Sequence, residues 1–173
     1  MQAIALAALT VLLAVSFTSC TSCERGGGKS DSAPTDTPRI YIELDKSEAS
    51  VGETFVASVM VEDVENIYGA AFDLVFDSDA IELTGKRKGD FLGGERVELI
   101  AEFQSDDPDR LVVGISRTGD AEGRDGSGTL ASFTLKALSK GNYVLALQNC
   151  ALMTPELSYA DVEVDKPTKV TIK

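Results

Sequence analysis

From Arg39 to Lys173 apolar and polar residues alternate in short runs, the period of strands with one buried face. The runs are 39–45, 53–63, 67–77, 80–85, 96–104, 110–118, 128–138, 142–150, 159–164 and 168–173. In 53–63, Phe55, Ala57, Val59 and Val61 fall on one side. In 96–104, Val97, Leu99, Ala101 and Phe103 do the same. Between the runs lie "KSEASVGE", "DSD", "KGDFLGGE", "SDDPD", "GDAEGRDGSG", "SKGN" and "DKP", built from residues that close turns. No stretch of a dozen residues keeps a helical period. Nine or ten short strands at this spacing predict an all-β fold, a two-sheet β-sandwich whose inner faces pack ~10 Å apart. A domain of this size can bury a self-sufficient core.

One run raises a question. In "GAAFDLVFDSDAIEL", residues 69–83, Ala70, Phe72, Leu74 and Phe76 make a wholly apolar face. Ala71, Asp73, Val75 and Asp77 make the other, which mixes two acids with an alanine and a valine. A face turned wholly to water usually carries more polar residues than this, which raises the question of what touches it, although a solvated sheet with a few stray apolar residues is common.

The first 38 residues follow other rules. Residues 1–19 carry no charged side chain, and the apolar run from Ala3 to Val15 is short for a membrane span of ~20 residues. Its length suits the apolar part of a signal peptide. It ends in "SFTSC", which resembles a bacterial lipoprotein signal and makes Cys20 the expected lipidation site. Phe17 stands where that pattern has leucine, and no Lys or Arg precedes the run. The expected locations are therefore the outer membrane or cell surface, or plain secretion. Residues 21–38 are Gly, Ser, Thr and Pro with scattered charge and predict a disordered tether. Cys20 and Cys23 form a C-x-x-C with no fold around it, so redox chemistry is not expected there. Cys23 and Cys150 could bridge in an oxidising compartment. The plainer reading is a tail thiol and a small apolar residue at a strand end.

Composition removes several functions. The formal net charge is −12, which repels phosphate backbones and argues against nucleic-acid partners. There is no histidine, hence no histidine-based triad or zinc site. There is no tryptophan, the strongest sugar-stacking group. With 28 acids some carboxylate pair will sit at glycosidase spacing, but nothing marks a pocket, and the chain reads as non-enzymatic.

The order of motifs resembles the cohesin domain family. Val51-Gly52 precedes a strand, Gly69 leads into Phe72-Asp73-Leu74 and Phe76-Asp77, and Ile81 and Leu83 follow. Gly89-Asp90-Phe91-Leu92 and "DGSGTLASFTLKAL" at 125–138 complete the likeness, which covers residues 40–172. It implies a nine-stranded jelly-roll sandwich over 39–173 without catalysis. It also implies a dockerin-like protein partner, a small calcium-loaded helical module, docked on one sheet face. Gly69 and Ala71 stand near positions where well-described cohesins carry polar contact residues, which implies a divergent partner.

Alternation across the sheet gives the expected partner-binding face: Ala71, Asp73 and Val75; Glu98, Ile100 and Glu102; Val112, Gly114 and Ser116. Its apolar centre and acidic flanks fit an interface core with a polar rim. Asp120, Glu122 and Asp125 lie on a pliable glycine-rich loop and are a candidate Ca²⁺ site, without EF-hand spacing. Calcium would otherwise enter through the partner. The plainer reading of this loop, and of Asp106, Asp107 and Asp109, is that acids keep strand ends soluble. Two other functions stay open: a carbohydrate-binding module associated with polysaccharide degradation, and a structural envelope subunit.

Overall fold

The computed structural model describes residues 37–93 and 107–173, and the backbone of 97–104 between them. The described chain is all strand and loop. The strands are β1 (Arg39–Leu44), β2 (Glu48–Ala49), β3 (Thr54–Ile67), β4 (Gly69–Val75), β5 (Ile81–Lys88) and β6 (Val97–Gln104). They continue with β7 (Arg110–Arg117), β8 (Arg124–Ala137), β9 (Gly141–Met153), β10 (Tyr159–Ala160), β11 (Glu163–Val164) and β12 (Thr168–Ile172). The first sheet runs β11-β1-β3-β8-β5. The second runs β2-β12-β9-β4-β7-β6, with β10 on the side of β9. Pairing is antiparallel except for β1 with β11 and β12 with β2.

The apolar side of each predicted run faces inward. Phe55, Ala57, Val59 and Val61 of β3 and Phe133 and Leu135 of β8 are buried from the first sheet. Phe72 and Leu74 of β4, Leu111, Val113 and Ile115 of β7, and Leu145 and Leu152 of β9 are buried from the second. Phe72 and Phe133 meet edge to face, 6.4 Å between centroids, and join the two sheets. Each such buried Val, Leu, Ile or Phe side chain contributes ~1.5–3 kcal/mol relative to leaving it in water. At one end the Arg117 guanidinium donates to the carbonyls of Leu92 and Gly93, at 2.7 and 2.8 Å, and pins the loop after β5. Gly89 lets that loop come close: a Cβ there would stand 1.9 Å from the Thr129 carbonyl oxygen.

Turn chemistry works as the sequence suggests at Asp77-Ser78-Asp79, where Asp77 Oδ1 accepts the Asp79 N–H at 3.1 Å. Asp109, expected merely to keep its loop soluble, also accepts the Ser78 N–H at 2.9 Å. The Ser78 backbone and side-chain hydrogen bonds hold Asp109 below the usual carboxylate range.

Other boundaries differ from expectation. β2 lies inside the expected turn "KSEASVGE", and the run 159–164 breaks into β10 and β11 of different sheets. β3 and β8 are both longer than expected because β3 bulges instead of ending. Asp63 and Asn66 take left-handed backbone, each with φ 53°, at successive register shifts against β8. Ser127 Oγ accepts the Asp63 N–H at 3.0 Å, and Asp125 Oδ1 accepts the Asn66 N–H at 2.7 Å. Part of the expected loop 119–128 is therefore strand.

Candidate functional site

The outer face of the second sheet is built row by row from β7, β4 and β9. Residues directly opposite on paired strands share a face. Gly114, Ala71 and Ala151 form one row of small residues. The next row is Ser116, Gly69 and Met153, with Tyr159 of β10 beside Met153. On the other side lie Val112, Asp73 and Gln148, then Arg110, Val75 and Ala146. Gly69 keeps the floor low, since a Cβ there would sit 3.3 Å from the Ile115 carbonyl oxygen. Ala71, Gly114, Ser116, Ala151, Met153 and Tyr159 line a groove of about 270 Å³.

The acid in the middle of this face is not free. Asp73 points outward but is only 5% exposed. Asn149 Nδ2 donates to its Oδ2 at 2.6 Å, and an Arg110 guanidinium nitrogen lies 3.5 Å from the same oxygen. Asn149 reaches it through a bulge. β9 shifts register between the partners of Ala71 and Asp73, and Asn149 takes φ 49°. A buried carboxylate is tolerable only with such partners. Asp73 thus helps to stitch β4, β7 and β9 together, in place of the exposed rim position expected of it. Cys150, beside it in the bulge, is a free thiol. Burial, with the negative charge of Asp73 adding, pushes it up to about 11, so it stays protonated and unreactive at neutral pH.

Ala71, Val75, Val112, Gly114 and Ser116 lie in the rows that alternation gave them. The side chains of Glu98, Ile100 and Glu102 lie outside the described residues. The β6 backbone pairs Glu98 with Ser116 and shifts register between Leu99 and Ala101. Cys20 also lies outside the described residues. The acids of the candidate calcium loop are not gathered: Asp125 serves the β3 bulge, while Asp120 and Glu122 border an end cavity with Asn66, Tyr68, Glu156 and Leu157. Among the described residues no three His, Cys, Asp or Glu side chains group to hold a metal. Sequence reasoning missed Gln148, Asn149, Ala151, Met153 and Tyr159. The bulge at Asn149 breaks the period there, and the renewed apolar run "ALM" after Cys150 was the available signal.

The cohesin domain family model matches residues 40–172. The chain belongs to the cohesin domain family. Cohesin domains are non-catalytic protein-docking modules, and this one is not an enzyme. Solved structures agree in fold. A type II cohesin domain from the cellulosome of Acetivibrio cellulolyticus is 18% identical, with TM-score 0.68 over 78% of this chain and 95% of that one. A non-cellulosomal cohesin from the archaeon Archaeoglobus fulgidus is 16% identical, with TM-score 0.63 over 79% and 91%. A chain of a type II cohesin–X-dockerin complex of A. cellulolyticus, an N-terminal interface mutant, is 16% identical, with TM-score 0.66 over 79% and 99%. No curated protein matches the chain. In this cohesin domain the strand that raised the opening question, β4, lies between β7 and β9, with one side in the core and the other flooring the groove.

Proposed function

We propose that this cohesin domain is an exported docking module that holds a dockerin-like protein on the outer face of β7, β4 and β9. The observation that carries the reading is the groove over Ala71, Gly114 and Ala151. It is an apolar floor on a sheet whose one central acid is already neutralised from within. Such a floor gains by being covered, while a rim of polar residues fixes orientation. The solved relative in complex with an X-dockerin supports the class of partner. The uncharged apolar run before "SFTSC" supports export and lipidation at Cys20, and "TSCERGGGKSDSAPTDTP" supports a tether that presents the domain away from a membrane. A sugar-binding role has less behind it: there is no tryptophan, and Tyr159 is the sole aromatic among the strongly exposed large side chains described.

The test is affinity capture with the full chain as bait, from secreted and envelope fractions of the native organism, with calcium and with EDTA. The expected prey carries a dockerin-like segment, is released by EDTA, and is not held by Ala71→Arg. Equal capture by wild type and Ala71→Arg would contradict the docking face. Cys20→Ala should shift the chain from the membrane fraction to the soluble one; unchanged partition would contradict lipidation.

A further inference from the structure

The ends of the two sheets share a feature that docking on a face does not explain. A strand at a sheet end offers a row of backbone N–H and C=O groups to any second chain. Two of the four ends are strands of two residues each, β11 and β2, which offer little ladder. The other two, β5 and β6, have eight residues each. Both are interrupted by a register shift, β5 between Leu83 and Gly85 and β6 between Leu99 and Ala101.

On β5 the shift changes what the strand presents. Thr84 is the extra residue, and its Oγ1 donates to the Thr134 carbonyl at 3.1 Å. Before it, Ile81 and Leu83 stand opposite Ala137 and Leu135 and pack on the core. After it, Lys86 and Lys88 stand opposite Phe133 and Ala131, both 2% exposed, and so take inward-facing positions. Both lysines are nonetheless exposed, as is Arg87 between them, opposite Ser132. Lys86-Arg87-Lys88 is the one run of three basic residues in a chain of net charge −12.

A second chain laid along β5 could align with one half of the strand only, because the extra residue puts the other half out of step. Along the second half it would close over two ammonium groups on the inner row. Whatever those lysines contact in the monomer, covering them strips water from charged groups, and that cost offsets the new ladder bonds. We propose that β5 is a guarded edge: the Thr84 bulge and the Lys86-Arg87-Lys88 run keep a second copy of this chain from extending the first sheet. The inference does not rest on the docking reading, since β5 belongs to the other sheet.

The test compares the full wild-type chain with a Lys86→Val, Arg87→Thr, Lys88→Val variant by sedimentation velocity over a concentration series. All three sites are exposed, and Val and Thr suit strands, so the variant should fold with an unchanged circular-dichroism spectrum. Its net charge is more negative than that of the wild type, so bulk repulsion between copies works against association. The expected result is nevertheless self-association at least about tenfold tighter than any the wild type shows, with amide exchange slowed along β5. Lys88→Val alone should give a smaller gain in the same direction, and serves if the triple variant does not stay soluble. A control with Lys140→Thr, Lys166→Thr and Lys169→Thr removes three exposed lysines away from β5 and should behave as wild type. If the triple variant, or Lys88→Val in its place, sediments like the wild type, the guarded edge is overturned. Equal association by the control, or association that leaves exchange along β5 unchanged, overturns it too.

Discussion

The two outer faces of the sandwich solve the same problem in different ways. On the first sheet, cross-strand neighbours satisfy one another. Ser58 and Ser132 share a hydrogen bond at 3.0 Å, Thr84 Oγ1 donates to the Thr134 carbonyl at 3.1 Å, and Lys136 stands 3.9 Å from Glu82. Arg39 donates to Glu62 at 2.6 Å and lies over the Tyr41 ring, 5.1 Å from its centroid. A partner laid on that face would have to strip water from polar groups that already have company, for little return. On the second sheet, the middle of the face is alanine and glycine, and the acid next to it, Asp73, is closed off beneath Asn149 and Arg110. Covering it removes apolar surface from water without stranding a charge. The difference lies in whether a face finishes its own chemistry.

Four measurements break or sharpen that contrast. The largest effect belongs to Ala71→Arg. It should cost about 2–4 kcal/mol of docking free energy by titration with the captured partner, while chemical denaturation shows a stability change within ~0.5 kcal/mol. Asp73→Ala comes next: it leaves Asn149 and Arg110 facing a void and should lower stability by about 1–3 kcal/mol in urea. On the opposite face Ser58→Ala removes one cross-strand pair and should cost about 0.2–1 kcal/mol. If it costs as much as Asp73→Ala, the two faces do not differ in kind. The smallest effect is a slope with pH. The Cys150 thiol ionises near 9 when free of the fold and is held up to about 11 within it. Between those values the unfolded chain gives up a proton that the folded chain keeps. Stability should therefore fall as pH rises through that window and gain nothing from the group below it. Cys150→Ala should show a shallower fall.

Much of this was legible in the sequence because burial on one face imposes period two. Ala70, Phe72 and Leu74 could hardly point elsewhere, and with them Ala71, Asp73 and Val75 were placed by parity. What parity cannot supply is the fate of a polar residue whose partners lie far along the chain. Asp73 looked like a rim acid because Arg110 and Asn149 are 37 and 76 residues away. Parity also fails at bulges, which insert one residue and exchange the faces. The bulge at Asn149 hid Ala151 and Met153, and those at Asp63 and Asn66 made strand of what looked like loop. Asp125 looked like a calcium ligand for the same reason, since the N–H it accepts belongs to Asn66, 59 residues distant. Tyr159 reaches the face through a two-residue strand, too short to show any period.

A paired titration would weigh the two faces against each other: the partner captured by the wild-type chain, measured against Ala71→Arg and against Ser132→Arg, with folding of each variant verified. A loss of affinity of at least about thirtyfold for Ala71→Arg, with Ser132→Arg matching wild type, is the predicted result. Equal affinity for wild type and Ala71→Arg, or a loss confined to Ser132→Arg, would contradict it and move the docking surface off β7, β4 and β9.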